Sequence, residues 1–479
     1  MVGVGLALTS RGLAAALCVA ESPTATAAGI SLKDLRAAAP DTPLSQRLTS
    51  IAGVGVLIGL CWLLSRNRRA ILWRPIAWGV AMQLVIGLIV LSPTLGDALF
   101  DAINSGVGRL MAFSQQGADF VFQSIAAHEV TEVDLATGEK VTRTVIGHIS
   151  PALKTVAFWI LPSIIFFSSL MAVLYHLGVM QPIVRGMSAI MQRTMKASGA
   201  ESLSTAANVF LGQTEAPLVV RPFIDGMTRS ELFAVMVGGF ATVAGGVLAA
   251  YVGFLQQSLP DIAGHLVIAS IMAAPATLVV AKLMVPETGH PATAGSSAET
   301  DAATEKLDTN LVEAVSRGAS EGMTLFLNVI AMLIAFVAMV ALVNWGIAWL
   351  GSLVGLELSL EKILGWLFAP LAFCMGIPWG ECLEAGRLLG EKTVLTELIA
   401  YMHLGELMQS PGALSYRSAV IMSYALCGFA NFASIGIQIG GIGGLAPGRR
   451  KDLAELGVMA MVGGTITTLM LGAIAGILI

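Results

Sequence analysis

Residues 208–218 read Asn-Val-Phe-Leu-Gly-Gln-Thr-Glu-Ala-Pro-Leu, which places an amide, a hydroxyl and a carboxylate in a row inside an apolar stretch. If this stretch lies in a membrane, a charge there costs at least about 2.5–3.5 kcal/mol on insertion scales, so Glu215 is expected to face a polar cavity. Gly212 and Pro217 flank the polar group, and the backbone groups that they free need partners in protein, water or ligand. The string therefore predicts the tip of a helical hairpin that lines a polar site.

The composition around this string is that of a membrane protein. Of 479 residues, 56% are hydrophobic and 12% are charged, against about 25% charged in soluble domains, and the mean hydropathy is +0.80. These values exclude a soluble enzyme. The net charge of -4 gives no basic face for nucleic acid. The five cysteines and six histidines show no metal-ligand spacing, so we predict neither metalloenzyme chemistry nor a cofactor.

Apolar stretches of about 20 residues are long enough to cross a bilayer. Two other stretches, 201–220 and 381–408, contain Gly and carboxylates and are predicted to be re-entrant hairpins. The predicted fold class is therefore an all-α polytopic membrane protein with about eight transmembrane helices and two re-entrant helical hairpins. The eight predicted spans are 47–65, 70–91, 152–178, 231–256, 262–285, 322–350, 416–440 and 453–479.

Lysine and arginine residues accumulate in alternate loops, and cytoplasmic loops carry such an excess. The counted positions are Arg66, Arg68, Arg69, Arg74, Arg185, Arg193, Lys196, Arg221, Arg229, Arg449, Arg450 and Lys451. They agree with one topology that also places the polar loop 286–320 inside. The same topology puts both termini outside. We predict a multi-pass membrane protein.

Polar and flanking segments divide the chain further. Residues 1–46 form an N-terminal extension, in which residues 1–29 resemble a signal peptide or are a short extension without one. Segment 119–150 is too polar to be buried, and its Val/Thr alternation predicts a small exterior hairpin. Residues 181–196 have the spacing of an amphipathic helix, either at the membrane surface or packed on neighbouring spans. Residues 286–320 are predicted to be a cytoplasmic linker.

Two parts of the chain show a weak internal sequence repeat. Glu201 leads through Gly212 to Thr214-Glu215, and Glu381 leads through Gly390 to Thr396-Glu397; two spans follow each interrupted segment. Counting the crossings gives the two units opposite orientations, which is typical of transporters with a site near the bilayer midplane. The predicted repeats are 181–285 and 355–479, and the predicted scaffold comprises 47–178 and the span 322–350.

Two further strings place polar groups within apolar segments. Residues 393–401 carry Glu397, and residues 427–437 carry Asn431 and Ser434, which share one helix face. An amide and a hydroxyl there either bind sugar hydroxyls or join helices at about 0.6 kcal/mol per bond.

These strings resemble the concentrative nucleoside transporters, in the short form of the bacterial members. The similarity rests on residues 212–218, 397–401 and 425–431, continuing through 447–450, and it extends over about residues 50–479. It implies a secondary symporter that imports nucleosides by alternating access, embedded in membrane lipid as a homotrimer with the scaffold at its centre. It also implies that the chain is not an enzyme.

The resemblance implies roles for individual residues. Gln213, Thr214 and Glu215 would contact the nucleobase. Glu397 of the second hairpin, with Asn431 and Ser434 of the broken helix that follows it, would hold the ribose, which agrees with the hydrogen-bonding capacity of these side chains. The predicted substrate-binding set is Gly212, Gln213, Thr214, Glu215, Glu397, Phe429, Asn431 and Ser434.

The resemblance also implies a sodium ion as the coupling ion. Its ligands would be the Asn208 side chain, the Leu211 and Val243 carbonyls and the Thr242 hydroxyl, at a position where other members carry Ser. The alternative is a proton-coupled nucleoside symporter in which Glu215 or Glu397 carries the proton. A second departure is in the second hairpin, which reads Thr396-Glu397-Leu398-Ile399 where the usual form has Asn and Phe around the Glu.

Overall fold

The computed structural model describes residues 42–90, 95–122, 128–133, 140–145, 155–256, 258–295, 308–353, 355–356, 358–409 and 413–479. The predicted signal peptide lies outside the described residues. The helices are α1 (Leu44–Leu63), α2 (Trp73–Val90), α3 (Leu95–Phe122), α4 (Ser163–His176), α5 (Met180–Met195), α6 (Gly199–Ala207), α7 (Arg221–Ile224), α8 (Arg229–Ala241), α9 (Gly245–Leu255), α10 (Ile262–Met284), α11 (Leu311–Leu353), α12 (Leu360–Cys374), α13 (Cys382–Val394), α14 (Glu397–Gln409), α15 (Tyr416–Leu426), α16 (Phe432–Leu445) and α17 (Arg450–Leu478). Strands β1 (His128–Val133) and β2 (Lys140–Val145) pair antiparallel, with His128 opposite Val145.

Seven segments of the described chain are long and apolar enough to cross a membrane, and they differ in how much of them the protein buries. In three of them, 78–89% of the most apolar stretch is buried inside the protein, whereas in α11 only 6% of that stretch is buried. The well-buried segments are Arg229–Leu255, Ile262–Met284 and Pro447–Leu478; the others are α1, α2, Val156–His176 and α11. A membrane helix with little burial in its own chain presents its apolar surface to lipid or to another copy.

The predicted span 416–440 is a broken helix, as the family resemblance implies. The chain forms α15 and α16 with a break at residues 427–431, because Gly428 adopts φ +150° and the Asn431 side chain accepts from the Ser434 N–H to start a new helix. The predicted span 231–256 is interrupted in the same way between Ala241 and Gly245.

Other boundaries also differ from the sequence prediction. The predicted linker 286–320 ends in a helix, because α11 begins at Leu311 and runs well beyond the predicted span 322–350. Helix α3 was not predicted, and it extends to Phe122, into the predicted insertion 119–150. The hairpin predicted in that insertion is present as β1 and β2. The amphipathic segment 181–196 is helical as α5, which ends at Lys196 in a left-handed conformation.

The two predicted repeats have the same order of elements. The first has α5, a first hairpin (residues 199–224, α6 and α7), the broken pair α8 and α9, and then α10. The second has α12, a second hairpin (residues 382–409, α13 and α14), the broken pair α15 and α16, and then α17. Their exact boundaries as domains stay a prediction.

Buried acidic side chains cap the first repeat at the end where its arginines lie. Glu201 and Glu231 complete capping boxes at the starts of α6 and α8. Lys282, near the end of α10, contacts Glu201 Oε2 at 2.7 Å and donates to Ser230 Oγ at 2.9 Å. This network holds α6, the first arm of the hairpin, against α8 and α10. The position of the hairpin tip is therefore fixed relative to these helices.

Helix α11 packs closely on α4 through two small residues. A Cβ on Gly318 would lie 2.6 Å from Ser169 Cα, and one on Gly322 would lie 2.7 Å from Ile165 Cα. Glycines four residues apart let two helix backbones approach, as in membrane helix pairs generally. The contact sets one face of α11 beside the hairpin tip.

Candidate functional site

A cavity of about 760 Å³ lies between the first hairpin tip, the second hairpin, the break before α16 and the face of α11. All eight residues that the sequence predicts for substrate binding line it: Gly212, Gln213, Thr214, Glu215, Glu397, Phe429, Asn431 and Ser434. The structure therefore brings together side chains that lie up to 222 positions apart in sequence. Their binding roles stay a prediction.

Glu397 provides the buried carboxylate of the cavity and is only 4% exposed. Tyr251 Oη donates to its Oε1 at 2.8 Å, and Asn431 Nδ2 donates to its Oε2 at 3.0 Å. Asn431 Oδ1 in turn accepts from the Ser434 N–H at 2.9 Å. The carboxylate is thus held at the N-terminal end of α16, where the helix dipole favours an anion.

Gln213, at the tip of the first hairpin, connects the two repeats. Its Nε2 donates to Ser434 Oγ at 3.3 Å, and its Oε1 accepts from Gln438 Nε2 at 3.2 Å. Glu215 folds back so that its Oε2 accepts from the Gly212 N–H at 3.2 Å, while the residue remains exposed on the cavity wall. The first hairpin thus contributes an amide and a carboxylate to the cavity.

Beside the cavity, Asn208 is fully buried, and neither atom of its side-chain amide has a hydrogen-bond partner among the described residues. Such an orphaned amide in a native protein calls for an explanation. Thr242 Oγ1 donates to the Gly238 carbonyl at 2.9 Å, and a Cβ on Gly238 would lie 3.0 Å from Asn208 Nδ2. Both predicted oxygen side chains therefore approach the same glycine.

The other two predicted ion ligands are backbone carbonyls at interruptions of the helices. Leu211 lies in the turn of the first hairpin, and Val243 lies in the break between α8 and α9. Neither carbonyl accepts a hydrogen bond from a group in the described chain. Amide, hydroxyl and carbonyl oxygens form the ligand type that hard cations take in transporters with unwound helices. The four groups are therefore of the ligand type that suits a sodium ion, and their role as its ligands stays a prediction.

Sequence reasoning missed several polar residues at the site. Tyr251 and Gln438 support Glu397 and Gln213. Tyr251 is the one polar side chain of α9, and Gln438 shares the otherwise apolar α16 with Ser434. Glu321, Thr324 and Asn328 line the cavity from α11 at helical spacing, a stripe that could have been found in the predicted span 322–350 and its flank.

A second cavity of about 440 Å³ shares Glu215, Leu218 and Ala244 with the first and runs towards the arginine-bearing loops. Arg185, Arg221 and Arg317 line it. Arg317 contacts both oxygens of Asp308 at 2.8 and 2.9 Å, and its guanidinium holds the pKa of the Asp308 carboxyl below its ordinary value. The two cavities share lining residues and therefore adjoin each other between the site and these three arginines.

The cavity is lined by a hairpin and a broken helix from each of two repeats. This arrangement is typical of secondary transporters. Three family models match the chain: "Na+ dependent nucleoside transporter N-terminus" over residues 52–125, "Nucleoside recognition" over 157–258 and "Na+ dependent nucleoside transporter C-terminus" over 265–476. An uncharacterized transporter of Haemophilus influenzae is 41% identical over 440 residues, which cover 90% of this chain and 98% of that protein. The chain belongs to the concentrative nucleoside transporter family.

Mammalian relatives are longer. Mouse solute carrier family 28 member 3 is 40% identical over 447 residues, so the match covers 90% of this chain and 59% of that protein. The structure of CNTnw in an inward-facing substrate-bound state matches with a TM-score of 0.78 at 40% identity, over 90% of this chain and 97% of that one. An outward-facing CNTnw variant matches with a TM-score of 0.79 at 39% identity, and the match covers 91% of this chain and 98% of that one.

The family is one of transporters, and the chain is therefore not an enzyme. The site agrees with this conclusion in one detail. His403, the histidine nearest to Glu397 in sequence, contacts Glu391 Oε2 through its Nδ1 at 2.8 Å.

Proposed function

We propose that the protein imports nucleosides in symport with sodium. The observation that carries the proposal is the single cavity lined by all eight predicted substrate residues, with the orphaned Asn208 amide beside it. Names of relatives support the same activity, since one is "Sodium/nucleoside cotransporter 1" of mouse, 37% identical over 446 residues.

In this proposal the two ends of the cavity bind the two parts of a nucleoside. The ribose hydroxyls donate to Glu397, which Tyr251 and Asn431 hold in place from behind. The nucleobase meets the first hairpin tip, where Gln213 and Glu215 offer donors and acceptors for a base edge. Phe429 lies on the same wall.

The sodium ion would bind through Asn208, Leu211, Thr242 and Val243, next to the hairpin tip that contacts the base. Sodium would be coordinated by the Asn208 Oδ1 atom, which otherwise has no hydrogen-bond partner among the described residues. The bound ion would also order the turn that carries Gln213. Binding of the ion and of the nucleoside would therefore each favour the other, as reciprocal linkage requires. Proton coupling through Glu215 or Glu397 is the alternative, and it leaves the buried Asn208 amide unexplained.

Alternating access would move the two repeats, 181–285 and 355–479, relative to the scaffold. The contrast in burial supports this division. In the long apolar segments of the repeats, 78–89% of the most apolar stretch is buried inside the protein, whereas in α11 only 6% of it is buried. The similarity to CNTnw structures titled inward-facing and outward-facing supports the same cycle. The second cavity would be the route to the arginine-bearing side.

We further propose a bacterial inner-membrane location with both termini outside and the arginine-bearing loops inside, following the charge rule. Relatives from Haemophilus influenzae and Bacillus subtilis support a bacterial membrane. The proposed assembly is a homotrimer built on the scaffold. Its support is the exposed apolar surface of α11, including Trp345, Trp349 and Leu353.

Uridine uptake into proteoliposomes tests the proposed function. Radiolabelled uridine is followed under an inward sodium gradient, with choline in place of sodium, and under an imposed pH gradient. Accumulation only with the sodium gradient is expected. Accumulation driven only by protons would remove the sodium role from Asn208 and Thr242, and the absence of accumulation under every gradient would refute nucleoside symport.

A further inference from the structure

The second cavity contains four buried polar atoms that have no hydrogen-bond partner among the described residues. They are Tyr175 Oη, His176 Nδ1, Gln181 Oε1 and Arg185 Nε, and all four residues line this cavity. Buried polar atoms in native proteins are almost always paired. Four such atoms around one cavity therefore indicate that it accommodates a polar ligand.

These side chains are brought together by the turn between α4 and α5. Gly178 adopts φ +77° in this turn, a conformation that favours glycine, and Gln181 Nε2 donates to the Tyr175 carbonyl at 2.8 Å across it. Gln181 and Arg185 are four residues apart, so they share one face of α5. Helix α5 begins at Met180, and the positive end of its dipole therefore also lies at the cavity.

Charge is distributed unevenly along the cavity wall. The carboxylates of Glu215 and Glu321 lie at the end that this cavity shares with the first cavity. The part beyond that end carries three arginines and one aspartate, namely Arg185, Arg221, Arg317 and Asp308. This part of the cavity therefore has a net positive charge.

Two of the three arginines are available to a ligand. Arg317 is occupied, because it contacts both oxygens of Asp308 at 2.8 and 2.9 Å and Glu321 Oε1 at 2.9 Å. Arg185 and Arg221 form no ion pair with a carboxylate in the described part of the chain. Guanidinium groups bind phosphate through paired N–H donors, and the Tyr175 hydroxyl is a further donor. The donor set thus suits a phosphate group.

The remaining wall of the cavity is largely apolar and leaves room for an organic group attached to the phosphate. Met171, Leu203, Phe210 and Leu325 line it. The volume of about 440 Å³ falls within the range of small-molecule sites. An inorganic ion would leave the apolar wall without a partner, whereas an ester of phosphate contacts both kinds of wall.

We propose that the second cavity binds a phosphate ester, with the phosphate on Arg185 and Arg221 and the organic part on the apolar wall. The ester reaches the cavity from the arginine-bearing side, either free in solution, as a nucleoside monophosphate, or as the headgroup of a phospholipid. Phosphorylation of an imported nucleoside yields a nucleoside monophosphate, so uridine monophosphate is the probe for the free form.

An occupied cavity would slow transport, because its walls come from both parts that alternating access would move. Tyr175 and His176 belong to the predicted scaffold, whereas Arg185 and Arg221 belong to the predicted first repeat. A ligand held between them resists their relative motion and lies on the proposed route to the arginine-bearing side. This effect on transport rests on the proposed function, whereas the binding itself does not.

Calorimetry on the purified full-length protein tests the binding of the free ester. Uridine monophosphate is titrated into wild type and variants at saturating uridine and sodium, so that the first cavity is filled. Arg185→Gln and Arg221→Gln should each bind the nucleotide about tenfold or more weakly than wild type, because each loses a charged hydrogen bond. Arg69 is exposed and does not line the cavity, so Arg69→Gln should match wild type.

Native mass spectrometry tests the lipid source on the same variants. It counts the phosphatidylglycerol molecules that stay bound when the protein is released from mixed micelles of phosphatidylcholine and phosphatidylglycerol. If the headgroup is the source, wild type and Arg69→Gln retain a phosphatidylglycerol molecule that Arg185→Gln and Arg221→Gln lose. Arginine-dependent binding of uridine monophosphate identifies the free ester instead, and either result supports the site.

Binding of neither probe to wild type, or binding that both arginine substitutions leave unchanged, would overturn the assignment. If Arg185→Gln is not monodisperse by gel filtration, Arg221→Gln decides alone, since Arg221 is exposed and its loss should not disturb the fold.

Uridine uptake into proteoliposomes tests the effect on transport. The ester that binds, either uridine monophosphate on both faces or phosphatidylglycerol in the bilayer, should slow uptake several-fold in wild type and Arg69→Gln but not in Arg221→Gln. Unslowed wild-type uptake despite binding would overturn this effect. A protein that takes up no uridine refutes the proposed function and the effect on transport with it, while calorimetry and mass spectrometry still decide the binding.

Discussion

Replacing Glu397 by Gln tests how the cavity recognises ribose, and the structure indicates that this variant keeps its fold. Glu397 accepts from Tyr251 Oη and from Asn431 Nδ2. In Glu397→Gln the remaining amide oxygen can still accept from Asn431, while the new NH₂ group donates to Tyr251, whose hydroxyl also accepts. Both neighbours stay paired, so the loss should be confined to the substrate.

The size of that loss follows from the strength of the hydrogen bonds. A hydrogen bond to a charged group contributes about 1.5–3 kcal/mol, and a neutral one contributes about 0.5–1.5 kcal/mol. The change from carboxylate to amide therefore removes about 1–1.5 kcal/mol for each ribose hydroxyl bound, which is about a 5- to 12-fold loss of affinity. Uptake driven by the same gradient should fall with it.

A thermodynamic cycle with the substrate isolates this interaction. Binding of uridine and of 2′- and 3′-deoxyuridine is measured by calorimetry in wild type and in Glu397→Gln at saturating sodium. Loss of a hydroxyl should cost about 5- to 12-fold more in the wild type than in the variant. Glu384→Gln, in the same hairpin but 40% exposed and paired with Arg387, is the matched control. Equal penalties for the missing hydroxyl in both proteins would refute ribose binding by Glu397.

Three further predictions concern the groups around the site. Thr242→Val removes the predicted ion oxygen and should raise the sodium concentration for half-maximal uridine uptake about tenfold or more, whereas Thr467→Val, whose hydroxyl likewise donates to a carbonyl four residues earlier, should leave it unchanged. Gly239→Ala places a Cβ 2.7 Å from Gln438 Nε2, so uridine affinity measured by calorimetry should fall about tenfold; unchanged affinity would contradict the support that we assign to Gln438. Tyr251→Phe removes one hydrogen bond to a buried carboxylate, about 1.5–3 kcal/mol, and should lower the melting temperature as well as uridine affinity; a change in neither would contradict that bond.

The site was more predictable from the sequence than the helix boundaries were. A carboxylate in an apolar segment is costly whatever surrounds it, and Glu215 and Glu397 were therefore visible as candidates. The composition does not reveal the break at residues 427–431, because an apolar sequence continues through it, and only the family resemblance implied a broken helix there. It depends on the packing of Gly428 against Phe240, a contact that no local pattern carries.

Supporting residues were hidden for a related reason. Tyr251 and Gln438 belong to helices with mainly apolar sequences, and their roles depend on which element lies opposite. The polar stripe of Glu321, Thr324 and Asn328 had the periodicity that reveals a helix face, but only the close packing at Gly318 and Gly322 places that face on the cavity.

The bonds that join Gln213 to Ser434 and Gln438 have a consequence for biosynthesis. They connect residues 221 and 225 positions apart. Chains emerge from the ribosome N-terminal end first, so the first hairpin is made long before its partners exist. During that interval the Gln213 amide has neither acceptor nor donor from the second repeat, in surroundings where unpaired polar groups are costly. The hairpin can therefore reach its final position only near the end of translation, and chains that stop before α16 should be recognised and degraded as unfinished.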